Sequence, residues 1–184
     1  MTGKDKFNRR HFVRLAMIGA GGVCLLPGCM RSKSRWRFFT DSEARLMDAL
    51  ADQIIPADDW PGGSDSDVTN FIDRQLIGPY IRFQAKYKKG LAAIEKTCKE
   101  RFGKRFEELD WKEQTLFLET MEAGKMKGPG WTEGFDREFF GMIREHSMQS
   151  FYGSPRHGGN KNNISYKMLK LDYPLIIGQN RYNT

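Results

Sequence analysis

The sequence predicts an all-α fold: one small domain of about five helices, closed by a long irregular C-terminal segment. Three observations predict it. Apolar residues recur at spacings of three and four through most of the chain after Phe38. Two of these runs open with capping boxes, and strand-like patterning is confined to Leu175-Ile176-Ile177.

The elements follow in order. Thr40-Asp41-Ser42-Glu43 has the form of a capping box, in which the Thr side chain bonds the third backbone N–H and Glu43 reaches back. Leu46, Ala49, Leu50, Gln53 and Ile54 continue one face until Pro56 ends the helix. After the loop Ala57-Asp58-Asp59-Trp60-Pro61-Gly62-Gly63, a second helix carries Val68, Phe71, Ile72, Gln75 and Leu76. Residues 80–101 give a third through Phe83, Tyr87, Leu91, Ile94 and Cys98. Asp110-Trp111-Lys112-Glu113 is the second box and opens a fourth helix with Leu116, Phe117 and Met121. Residues 131–150 give a fifth, with Phe135, Phe139, Met142, Ile143 and His146 on one stripe. Residues 153–163 are too polar and Gly-rich for a helix, and residues 165–184 are aromatic and apolar without a helical period. A segment of that length and composition suits packing on a second protein. Tyr152, Arg156, His157, Gly158, Gly159, Asn160 and Tyr166 are its candidate interface residues.

Charge position matters more than its sum. The chain carries +7, yet the first 37 residues hold nine basic side chains against Asp5, which leaves the remainder at −1. A near-neutral body is no nucleic-acid binder. Within the basic start, Asn8-Arg9-Arg10-His11-Phe12-Val13-Arg14 looks like a twin-arginine export signal, with Arg9, Arg10 and Phe12 as its key positions. The apolar run that follows is too short to span a bilayer of roughly 20 helical residues and suits a signal segment. Leu26-Pro27-Gly28-Cys29 resembles a lipobox, with Pro27 atypical; acylation of Cys29 and a plain cut nearby both stay open. The organisation read from the sequence is a signal over 1–29, a basic tether over 30–37, a helical domain over 38–152 and the Gly-rich, aromatic segment over 153–184. The tether would lie beside anionic headgroups. The expected location is periplasmic or membrane-associated.

The body offers little for chemistry. Only Cys98, His146 and His157 follow the export segment, with no CxxC, HExxH or CxxCH spacing, so no metal or cofactor is expected on this chain. Cys98 reads as a small apolar residue on a helix face. His146, on an apolar stripe, reads as a buried or interface histidine. His157 sits in a flexible loop and is either solvated or set to meet an anionic group or another chain. Asp58, Asp59, Asp65 and Asp67 lack the ligand spacing of a calcium loop and read as turn residues with a helix N-cap. No nucleophile, base and acid can be nominated together.

Two blocks carry a family resemblance. Residues 38–56, from Phe38-Phe39-Thr40-Asp41-Ser42-Glu43 to Gln53-Ile54-Ile55-Pro56, resemble the opening of the gluconate 2-dehydrogenase subunit 3 family. Phe151-Tyr152-Gly153-Ser154-Pro155-Arg156-His157-Gly158-Gly159-Asn160-Lys161, with Tyr166-Lys167-Met168, resembles its closing segment, although Ser154 replaces the usual acidic residue and Tyr166 a Trp. The resemblance spans residues 38–173. It implies a non-catalytic small subunit that escorts a large FAD-dependent sugar, glycoside or polyol dehydrogenase of the glucose–methanol–choline type through export and stays bound to it. FAD would lie in that partner, and a cytochrome or other acceptor would take the electrons. The alternative is an independent extracytoplasmic lipoprotein that binds a small ligand with the 156–160 loop.

Overall fold

A computed structural model describes residues 34–171. Arg9, Arg10, Phe12, Cys29 and the Leu175-Ile176-Ile177 run lie outside the described residues. The helices are α1 (Asp41–Ile54), α2 (Val68–Leu76), α3 (Gln84–Phe102), α4 (Trp111–Glu122), α5 (Phe135–Tyr152) and α6 (Ile164–Met168), joined by short 3-10 turns. No strand occurs among the described residues, so the fold is all-α. α5 packs against each of the other five helices and forms the centre of the domain.

Both capping boxes form. Thr40 Oγ1 accepts from the Glu43 N–H at 3.2 Å while Glu43 Oε2 accepts from the Thr40 N–H at 2.8 Å. At α4, Asp110 Oδ1 and the Glu113 N–H are 2.8 Å apart, with Glu113 Oε2 returning to the Asp110 N–H at 3.1 Å. Once each start is fixed, the 3.6-residue period decides which side chains face inward. On α1 these are Ala44, Leu46, Met47, Leu50 and Ala51, so Ala49, Gln53 and Ile54 border the core rather than fill it.

Three expectations need correction. Leu116 is not a core residue: it is 63 % exposed, and α4 turns Gln114, Phe117, Leu118 and Met121 inward instead. α5 starts at Phe135, not at residue 131, because Gly134 adopts φ 75°, outside the helical region. Trp131 is anchored separately, its indole N–H donating to Thr97 Oγ1 at 2.8 Å. The segment after 153 is less irregular than its composition suggests. It folds into 3-10 turns at Pro155–His157 and Lys161–Asn163 and the short helix α6, whose Ile164 and Ser165 are buried.

Two further contacts hold the elements in place. The Asp73 carboxylate, 1 % exposed on α2, accepts the backbone N–H groups of Arg37, Phe38 and Phe39 at 2.9, 2.9 and 3.0 Å. That clasp fixes the chain just ahead of α1 and seats Phe39 in the core. On α3, the Phe139 ring of α5 lies against Gly90, where an added Cβ would sit 2.3 Å from Phe139 ring carbons.

Two outcomes follow for stability, both read by urea unfolding. Asp73→Ala, which orphans the buried Phe39 N–H and the part-buried N–H groups of Arg37 and Phe38, lowers it by roughly 2–3 kcal/mol. Gly90→Ala destabilises by about 1–3 kcal/mol despite alanine's helix preference, whereas Gly141→Ala, on α5 with nothing within 4 Å of the new methyl, stabilises by about 0.5–1 kcal/mol.

Candidate partner interface

The candidate interface residues separate into two layers. The inner layer is the 158–160 turn. Gly158, at φ 102°, presents its carbonyl to the Asn70 amide at 2.7 Å. Gly159 is buried against α5, where a Cβ would meet Ser150 Oγ at 2.1 Å. Asn160 is fully buried and bridges the turn: its amide donates to the Gly153 carbonyl at 2.8 Å and its oxygen accepts from the Ser165 N–H at 3.0 Å. The Lys161 N–H reaches the Ser66 carbonyl at 3.3 Å, and the Lys161 ammonium lies 3.5 Å from Asp67 Oδ1. The turn is therefore built onto α2 and the end of α5 by its own polar groups.

The outer layer faces solvent. Arg156 and His157 are exposed in the 3-10 turn, with Arg156 Nε 3.1 Å from His157 Nε2. Tyr152 closes α5, its ring edge-on to Phe151 at 5.1 Å and 43 % exposed. Met148, one turn earlier on α5, is exposed beside it in the helix register, and Leu169 and Leu171 are exposed just after α6, which packs on α5. Tyr166 is half-buried on α6. Met148, Leu169 and Leu171 were not singled out in the sequence. The signal for Met148 was its place four residues before Tyr152, off the buried stripe of α5.

A second feature lies at the other side of α5. Tyr80, Phe83, Met142 and His146 line a shallow groove of about 620 Å³ whose margin mixes Arg82, Lys86, Arg144, Glu138 and Glu145. Tyr80 stacks on the His146 ring at 4.2 Å, and His146 Nδ1 lies 2.9 Å from the buried Tyr87 hydroxyl. The hydroxyl donates when the ring proton sits on Nε2, the tautomer that leaves Nδ1 a lone pair. Burial pushes the imidazole down from 6.5 to about 4. The histidine expected to be buried is so, as a neutral group tying α5 to α3.

The remaining candidates take structural places. Cys98 is fully buried, and burial raises its thiol to about 12, so it is an inert apolar filler. Asp58 Oδ1 accepts from the Trp60 N–H at 2.8 Å within its turn. Asp67 occupies the N-cap position of α2 without a side-chain cap bond. Among the described residues, no group of three or more His, Cys, Asp or Glu side chains is arranged to hold a metal.

His146 gives a pH prediction. The unfolded chain takes up a proton below 6.5 that the folded chain resists to about 4, so stability is complete above 6.5 and falls as the pH drops through that window. The slope approaches about 1.4 kcal/mol per pH unit. His146→Gln removes that component, as urea unfolding across the pH series will read.

No curated protein and no solved structure matches the chain. Residues 41–172 match the family described as Gluconate 2-dehydrogenase subunit 3, a span that runs from the first residue of α1 past α6 and takes in both layers of the interface candidate. The chain therefore belongs to the gluconate 2-dehydrogenase subunit 3 family, small subunits that associate with a larger dehydrogenase subunit.

Proposed function

We propose that this chain is a non-catalytic small subunit and export escort of a periplasmic FAD-dependent sugar, glycoside or polyol dehydrogenase. Family membership over residues 41–172 carries the reading. The residue inventory agrees with it. In keeping with that family, the FAD belongs on the large subunit. His146, the histidine nearest to a groove, keeps its Nδ1 on Tyr87 and resists protonation, which suits packing rather than proton transfer.

The surface assigned to the large subunit is the outer layer at the end of α5: Met148, Tyr152, Arg156 and His157, with Leu169 and Leu171 beside them. Aromatic, Met and Arg side chains are the types that dominate the buried centres of protein interfaces. The inner turn supports them from below, so the surface is held rigid before the partner arrives. Arg9, Arg10 and Phe12 serve as the twin-arginine signal for the pair, and acylation at Cys29 holds the assembly at the membrane. Electrons leave the flavin for a cytochrome or another acceptor.

Affinity purification of the tagged chain from its native host brings down a larger yellow protein with flavin absorbance. Recovery of this chain alone, colourless and stably folded, overturns the reading and favours the independent ligand-binding lipoprotein. Met148→Glu with Tyr152→Glu lowers recovery of the flavoprotein by roughly tenfold or more at an unchanged melting temperature. Arg9→Lys with Arg10→Lys leaves the dehydrogenase activity in the cytoplasm, and normal export of that activity in the variant contradicts the escort role.

A further inference from the structure

The near-neutral body hides a strong separation of charge. Between Asp41 and Asp73 the chain carries nine carboxylates and one arginine; between Arg82 and Arg105 it carries nine cations and two carboxylates. The first set lies on α1, the following loop and α2, the second on α3 and its flanks. Five of the cations, Arg82, Lys86, Lys89, Lys96 and Lys99, recur at helical spacing on the side of α3 turned away from the buried Tyr87, Leu91, Ile94 and Cys98. They form a stripe about 25 Å long. Arg82, Lys89, Lys96 and Lys99 are exposed and Lys86 half-buried. Glu138 of α5 pairs with Lys86, and Lys89 lies over the Phe135 ring at 4.0 Å while donating to Thr132 Oγ1 at 3.2 Å. Those contacts hold the side chains up along one flank.

A different side of α3 holds the start of α1. Lys88 of α3 donates to the Phe38 carbonyl at 3.3 Å and to Glu43 Oε1 at 2.7 Å, and the Ser42 hydroxyl donates to Glu95 of α3 at 3.3 Å. Residue 38 and the first turn of α1 therefore lie against α3, whereas Arg35 acts on Asp48 of α1 and the Arg37 N–H bonds Asp73 of α2. We propose that the α3 stripe is the surface on which the domain lies against anionic phospholipid headgroups.

Three arguments favour lipid over a second protein. From Arg82 to Lys99 the chain exposes no large hydrophobic side chain, and all five stripe cations are Lys or Arg, four of them exposed. Protein interfaces are depleted in Lys and centred on aromatic anchors, whereas headgroups require only positive charge near the surface. The acids on α1 and its loop are repelled by the same headgroups, so a domain with little net charge is still turned to one orientation. The assignment does not depend on the dehydrogenase partner, because the binding needs the chain alone.

The test is flotation of the purified full chain with vesicles of phosphatidylglycerol and phosphatidylcholine, against vesicles of phosphatidylcholine only. The apolar export segment binds both kinds, so the readout is the preference for anionic over neutral vesicles. At about fivefold per cation, Lys86→Gln, Lys89→Gln, Lys96→Gln and Lys99→Gln together lower that preference by roughly tenfold or more. The corresponding four Lys→Arg changes keep it, and raising salt to about 0.5 M shrinks it in the wild type. A Gln variant that melts like the wild type and retains the full preference overturns the proposal, as does a wild type with no preference. It is equally overturned if the Gln variant keeps its vesicles but loses the co-purified large subunit, which would make the stripe a protein surface.

Discussion

Five helices share α5 as their common neighbour, and this shared packing shapes the sequences around it. A surface helix needs only one apolar stripe. α5 instead buries Phe135, Phe139, Met142 and Ile143 together with His146, Ser147, Ser150 and Phe151, which spreads its buried residues over a wide arc. Large side chains on the whole arc would hold the neighbours too far apart. The fold meets the constraint by alternating bulk and small residues across each contact. Phe139 projects at Gly90 of α3, and Gly159 of the closing turn comes down on Ser150. Any methyl at either glycine would displace one wall of the centre.

The loops are held to that centre by buried polar side chains rather than by apolar contacts. Asp73 gathers the backbone of residues 37–39, Asp136 accepts the Met126 N–H at 2.9 Å, and Asn160 joins residue 153 to residue 165. Each side chain bonds backbone groups that would otherwise be buried without partners, a loss of about 1–3 kcal/mol apiece. The same logic explains how residues 153–163, polar and Gly-rich, are held: the Gly158 carbonyl, the Asn160 amide and the Lys161 N–H are directed inward, onto α2, its preceding loop and the end of α5, while Arg156 and His157 face out.

That inward use of polarity is what the sequence could not display. Helix starts were legible because Thr40–Glu43 and Asp110–Glu113 are local devices, complete within four residues. The stripe of α5, Phe135 to His146, was legible for the same reason, since period alone defines it. Asp73 carried no such signal: its partners lie some 35 positions earlier in the chain. Asn160 read as an interface residue, because nothing local distinguishes an Asn that bridges two stretches of its own chain from one that faces a partner. Leu116 misled in the opposite way, since an apolar residue next to Phe117 reads as core until the helix phase places Leu118 there instead. The interface candidate was half legible. The block from Tyr152 to Asn160 stood out through its family pattern, but the division between supporting and exposed residues depends on which carbonyls and amides meet in three dimensions.

The position of the Asp73 clasp bears on the function proposed. It grips the chain at residues 37–39, where the basic tether gives way to the folded body, and it does so through a residue of α2 that is buried only when α1 and α2 have packed. The backbone of residues 37–39 is thus fixed by completion of the core. Met148 and Tyr152 at the end of α5 are set by the same packing, since α5 touches both α1 and α2. A chain that has not closed its centre would then lack both the fixed backbone at residues 37–39 and the proposed partner surface. One set of core contacts thus fixes both the entry to α1 and the end of α5.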